Sequence, residues 1–190
     1  MKKGQSFALF SLIIFSSCST ILVNTTNRDG IQEDPTRRTS GTIIEDRSIE
    51  TKISVNLKAE DVAFRDARLN ITSHNGVVLV VGQIESENLK LKATDIILKA
   101  SAKIKRIHNE IEIGTKTGLM TQGNDTWIAT KVRASLLVDD EVPFDQIKVV
   151  VENGTVYLMG IISEEEGDNA ANLARNISGV IRVMKVFDYI

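Results

Sequence analysis

An internal duplication constrains this chain more than any other feature. Asp46-Arg47-Ser48-Ile49-Glu50-Thr51-Lys52-Ile53 aligns with Asp125-Thr126-Trp127-Ile128-Ala129-Thr130-Lys131-Val132, 79 positions later. His74-Asn75-Gly76-Val77-Val78-Leu79-Val80-Val81-Gly82 aligns with Glu152-Asn153-Gly154-Thr155-Val156-Tyr157-Leu158-Met159-Gly160, 78 positions later. Two copies make a duplicated domain, because solenoid arrays need three or more short repeats. What the copies share reports the fold. What differs between them points to function.

Each copy predicts the same order of elements. In residues 46–113, Ile49, Ile53 and Leu57 fall on one helical stripe. Leu69 to Thr72 alternates as a half-buried strand does, and Asn75-Gly76 is the sequence of a tight hairpin turn. Val77 to Val81 predicts an apolar strand closed by Gly82, Glu87 to Lys105 a second helix, and Ile107, Ile111 and Ile113 a last strand. Residues 124–190 repeat the order, with Asn153-Gly154 between two strands and Ser163-Glu164-Glu165-Glu166 as a capping box. The expected fold class is α+β: two tandem modules, each helix-strand-strand-helix-strand, with two helices on one face of a three-stranded sheet. Residues 114–123 are the expected linker.

The front of the chain carries a targeting signal. Lys2 and Lys3 precede a nine-residue apolar run, Phe7 to Phe15, and then Ser16-Ser17-Cys18. That run is too short to span a bilayer, which needs about 20 apolar residues, and it has the layout of a secretory signal. Cys18 is the only cysteine in the chain, so no disulfide forms within it. Its place after small residues resembles a bacterial lipobox, although Phe15 stands where an aliphatic residue is usual. The resemblance implies removal of residues 1–17 and lipidation of Cys18. Ser19, rather than Asp, implies outer-membrane delivery in a two-membraned bacterium. An ordinary signal peptide with an incidental cysteine is the competing reading. Residues 18–45, rich in Thr, Asn, Arg and Asp, are read as the lipidated cysteine and a flexible tether.

The modules with their glycine-closed central strand resemble the BON domain family. Ile104-Lys105-Arg106-Ile107-His108-Asn109-Glu110-Ile111 follows its closing pattern. Lys185 departs from that pattern in the second copy, and Lys103 stands where the second copy has Gly179. For two such domains behind a lipobox, the resemblance implies phospholipid association and a role in outer-membrane integrity, with the second domain facing lipid. It places the protein on the outer membrane, lipid-anchored and facing the periplasm.

Catalysis has little support in the residues. His74, before the first hairpin turn, is expected in a solvated loop, and His108 is expected to point to water. No metal spacing, phosphate loop or nucleophile motif is present. No enzyme activity, catalytic residue, metal or cofactor is therefore expected. After loss of residues 1–17 the chain carries 21 basic and 25 acidic side chains, an acidic balance that argues against a nucleic-acid partner. A monomer is expected.

The copies differ most on one helix. At about 100° per residue, Ile128, Ala129, Val132 and Leu136 group as a core stripe. Trp127, Ala134, Leu137 and Val138 group opposite, with Thr130 and Lys131 among them and Arg133 beside them. The matching positions of the first copy are Ser48, Val55, Lys58 and Ala59. Trp127 is the only Trp, and Trp favours membrane–water interfaces. The candidate phospholipid-binding residues are therefore Trp127, Thr130, Lys131, Arg133, Ala134, Leu137 and Val138. The competing uses of this face are packing against the first module and holding an envelope protein partner. Residues 46–113 balance at +1 (11 basic, 10 acidic) and residues 124–190 at −5 (6 basic, 11 acidic). Apolar insertion, more than charge, must then carry lipid contact, and a preference for anionic lipid stays open.

Overall fold

The computed structural model describes residues 34–190. The signal sequence, Cys18 and most of the tether lie outside the described residues. The first module contains α1 (Ser40–Glu60), α2 (Val62–Asp66), β1 (Arg68–His74), β2 (Val77–Ile84), α3 (Glu87–Ala100) and β3 (Arg106–Ile113). The second contains α4 (Leu119–Leu137), a 3-10 turn (Phe144–Gln146), β4 (Lys148–Glu152), β5 (Thr155–Ile162), α5 (Glu164–Arg175) and β6 (Arg182–Tyr189). The sheets have strand orders β1-β2-β3 and β4-β5-β6. In each, the hairpin pair is antiparallel and the helix-connected pair is parallel, as a short turn and a helical crossover require.

The hairpins explain why both copies begin with aspartate. Asn75 and Gly76 have φ of 52° and 77°, and Asn153 and Gly154 have φ of 50° and 72°. This is the left-handed backbone that a type I′ turn demands. Asp46, 2% exposed, accepts from the main-chain N–H of Asn75 (2.9 Å) and Gly76 (3.0 Å) and from the Ser73 hydroxyl (2.7 Å). Asp125, 3% exposed, accepts from the N–H of Asn153 and Gly154, both at 2.9 Å. One carboxylate therefore fastens each first helix to the turn of its own sheet. Burial raises the pKa of Asp46, but hydrogen bonds from Gly76, Ser73, Arg38 and Asn75 outweigh it and hold the carboxyl below its ordinary value.

Each module has a core between helices and sheet. In the first it contains Ile49, Ile53, Leu57, Val78, Val80 and Ile97. In the second it contains Ile128, Val132, Leu136, Val156, Leu158 and Phe187. Side chains alternate along a strand, so Val77, Leu79 and Val81 leave β2 on the other face. There they pack with Val150, Tyr157, Met159 and Val186 of the second module. The two sheets lie back to back, which buries all eight residues of both β2 and β5.

Polar contacts ring this third core. Arg68 Nη1 reaches both oxygens of Glu152 at 2.6 and 2.7 Å, and Gln83 Nε2 donates to Glu152 at 2.9 Å. The linker joins the network, since Thr117 N donates to Gln83 Oε1. Asn75 donates to Asp188 at 3.2 Å, and the equivalent Asn153 donates to Glu112 at 3.4 Å. Each hairpin thus meets the last strand of the other module, so the modules are related by an approximate twofold axis.

Several boundaries differ from the sequence expectation. α1 starts at Ser40, where Thr39 caps it through Thr42 N (3.1 Å), so residues 40–45 are helix rather than tether. α4 starts at Leu119, so residues 119–123 of the expected linker are helical. α3 stops at Ala100, where Ser101 turns extended and its hydroxyl accepts from Lys103 N. Gly82 does not end its strand, which runs to Ile84. It serves close approach instead: a Cβ there would lie 2.0 Å from the Arg68 carbonyl oxygen. The first module also has an added turn of helix, α2.

The histidines are the clearest corrections. His74 is the last residue of β1 and 6% exposed, not solvated. Burial first, then the nearby cations Arg38 and Lys148, lower its pKa to about 4 against the opposing pull of Asp46 and Asp188. His108 is half-buried, with its Nε2 enclosed and without a partner among the described residues. Burial, then Arg106, lowers its pKa against Glu110.

Candidate membrane-facing helix

α4 lies on the second sheet with Ile128, Val132 and Leu136 fully buried and Ala129 nearly so. Its opposite face meets no other part of the described chain closely. Trp127 is 57% exposed, Leu137 63% and Val138 81%. Thr130 and Ala134 lie between them and are exposed. The Thr130 hydroxyl donates back to the Thr126 carbonyl at 2.9 Å, so its hydrogen bond is met within the helix. Lys131 Nζ stands 4.7 Å from the centre of the Trp127 ring. That cation–π contact holds an ammonium beside the indole. Val138 is the C-cap and closes the stripe.

Arg133 leaves this group. Its guanidinium donates to the Val149 carbonyl at 2.8 Å, on the flank of α4 nearest β4. The other candidate residues share the outward side.

Two residues join the stripe that the sequence reading left in the linker. Leu119 is 85% exposed and Met120 90%, and α4 carries both about two turns ahead of Trp127. At about 100° per residue, Met120 falls within 20° of Trp127. Their signal was available: two large apolar residues in a polar segment, seven and eight positions before Trp127. The helix is 19 residues long, so the stripe extends about 28 Å.

The equivalent helix of the first module, α1, offers no matching stripe. On α1 the exposed large apolar residues are Ile44 at 70% and Val55 at 58%, with Ile43 at 38%, and Arg47, Thr51 and Lys58 lie among them, exposed. The modules dock through the backs of their sheets, so Trp127 and Leu137 are not spent on packing between modules. The acidic turn after α4 is engaged locally: Asp139 accepts from Glu141 N, and Glu141 accepts from Asn169 on α5.

Comparison with known proteins places this geometry in a family. The description "BON domain" matches residues 45–115 and 124–190. The chain is 35% identical over 153 residues to the 21 kDa hemolysin of Actinobacillus pleuropneumoniae, covering 80% of this chain and 78% of that protein. It is 33% identical over 160 residues to the outer membrane lipoprotein DolP of Haemophilus influenzae, covering 84% and 81%. It is 25% identical over 160 residues to the osmotically-inducible protein Y of Escherichia coli, covering 82% and 79%. Two domain matches spanning most of the chain, with the duplicated hairpins and back-to-back sheets, show that this protein belongs to the BON-domain family.

Proposed function

We propose that the chain is a non-enzymatic envelope protein, lipid-anchored at Cys18 to the outer membrane and facing the periplasm, whose second BON module touches phospholipid through α4 and so supports outer-membrane integrity. The observation that carries this reading is the exposed apolar stripe from Leu119 to Val138 on a helix whose other face is already packed. The likeness to a protein named an outer membrane lipoprotein supports the location. Trp127 gives the stripe a side chain suited to the bilayer interface. Full burial of a side chain of Leu or Met size contributes roughly 1.5–3 kcal/mol, so a few inserted residues suffice for reversible binding. Residues 124–190 have a balance of −5, so insertion outweighs charge attraction, and binding should depend weakly on salt.

Co-sedimentation of residues 18–190 carrying Cys18→Ser with phospholipid vesicles tests this. Trp127→Glu and Leu137→Glu should each lower vesicle binding at least tenfold and leave the melting temperature within a few degrees of the parent. Ser48→Glu, the equivalent change on α1, should alter neither. Ile128→Glu puts a charge among fully buried residues and should unfold the module. If Trp127→Glu and Leu137→Glu melt normally and bind vesicles like the parent, the stripe serves a protein partner instead.

A further inference from the structure

A second surface lies apart from the stripe. β1 and β4 are both edge strands. Arg68 opens β1 and bonds Glu152, which closes β4. Near the other ends, Glu50 accepts from Ser73 N of β1 and lies 3.5 Å from Lys148 of β4. The two free edges therefore run antiparallel beside each other across the approximate twofold axis. Two adjoining cavities of about 440 and 480 Å³ follow them, sharing Glu50 and Lys148 and walled by the flanks of α1 and α4.

The floor of this groove offers main-chain hydrogen bonds. In an antiparallel ladder only alternate residues bond the neighbouring strand. Ser73 N turns away from β2, since it donates to Glu50, and the Val149 carbonyl turns away from β5, since it accepts from Arg133. By the same alternation, the main-chain groups of Ile71 and Val151 point out of their sheets. No described residue bonds them. Unpaired edges invite another strand, and here two long charged side chains, Glu50 and Arg133, cover only part of each edge.

The charge of the groove selects what enters. Arg38, Arg47, Arg68, Arg133 and Lys148 line it against three carboxylates. Two of those, Asp46 and Asp125, are buried and turned onto the hairpin amides. Arg38 is paired with Asp46, Arg68 with Glu152, and Lys148 lies 3.5 Å from Glu50, so Arg47 and Arg133 are the lining cations without a carboxylate partner among the described residues, in a protein that is acidic as a whole. We propose that the groove between β1 and β4 binds an extended acidic segment of a partner polypeptide, which adds as a strand along one of the two edges. Main-chain bonds hold such a segment and side-chain charge chooses it. This surface is independent of the membrane-facing stripe.

The test uses residues 18–190 carrying Cys18→Ser, with a synthetic ten-residue peptide alternating Glu with Val and Thr, and a second peptide with Lys in place of every Glu. Amide exchange read by NMR should slow at least tenfold at Ile71 or Val151 when the Glu peptide saturates the protein. Lys148→Glu, and separately Arg133→Gln, should weaken that peptide at least tenfold without lowering the melting temperature by more than a few degrees. Trp127→Glu should leave peptide affinity unchanged, which separates this result from the fate of the membrane reading. Equal binding of the Lys peptide, unchanged exchange at both amides, or the same protection from self-association without peptide would overturn the proposal.

Discussion

At the scale of single residues, the second helix face and the buried polar groups differ in how openly the sequence shows them. Trp127 and Leu137 are legible because helical periodicity sorts apolar positions to two sides, and only one side can meet a single sheet. Asp46 and Asp125 align in the duplication, yet their task of fastening a turn 28 to 30 residues away is tertiary. His74 misleads for the same reason: a residue before Asn-Gly looks like turn, and only tertiary packing buries it. Its burial has a measurable result. The folded pKa is near 4 and the unfolded value about 6.5. Above pH 6.5 both states are neutral there and stability is full. As pH falls from 6.5 towards 4 the unfolded chain takes up a proton that the folded chain refuses, so stability declines by on the order of 3 kcal/mol. Thermal melting from pH 7 to pH 4.5 should show this decline, and His74→Gln should flatten it. An equal slope in that variant would assign the effect to other groups.

At the scale of elements, boundaries were the least legible part. α1 and α4 both begin six residues before the duplicated aspartates. Thr39 is a recognisable N-cap, whereas the Gly118 cap of α4 makes no side-chain bond. The longer α4 matters for the site, because it brings Met120 into line with Trp127 and Leu119 into line with Leu137. The helix also depends on its clamp. Asp125→Ala leaves the Asn153 and Gly154 amides without their acceptor, and a buried unsatisfied donor costs about 1–3 kcal/mol. We expect the variant to lose roughly 2–4 kcal/mol in denaturant unfolding. We also expect amide exchange to rise first at Asn153 and Gly154. A loss below about 0.5 kcal/mol, within the range of ordinary surface changes, would show that the turn holds without the carboxylate.

At the scale of the whole molecule, the duplication predicted two modules but not how they meet. The unbroken run Val77-Val78-Leu79-Val80-Val81 held the clue, since a strand with one solvated face would alternate with polar residues. A strand buried on both faces needs a second layer, and the other module supplies it. The Glu152 network closes that interface. Glu152→Ala removes the acceptor of Arg68 and Gln83 from a site 4% exposed. A hydrogen bond to a charged group contributes about 1.5–3 kcal/mol, so the variant should melt lower and expose amides of β1 and of the linker to faster exchange. Unaltered exchange there would show that the apolar core between the sheets alone sets the docking.

The docking leaves α4 outward, and the central claim is that this face enters the bilayer. Trp127 is the only tryptophan in the chain, so its fluorescence reports on the stripe without labelling. With residues 18–190 carrying Cys18→Ser and vesicles containing lipids brominated at graded depths along their acyl chains, the account predicts a blue-shifted Trp127 emission. It also predicts quenching that is strongest from bromines near the headgroup end of the chains. Emission that stays at its solution wavelength, with no quenching at any bromine depth under conditions where vesicles are in large excess, would contradict it.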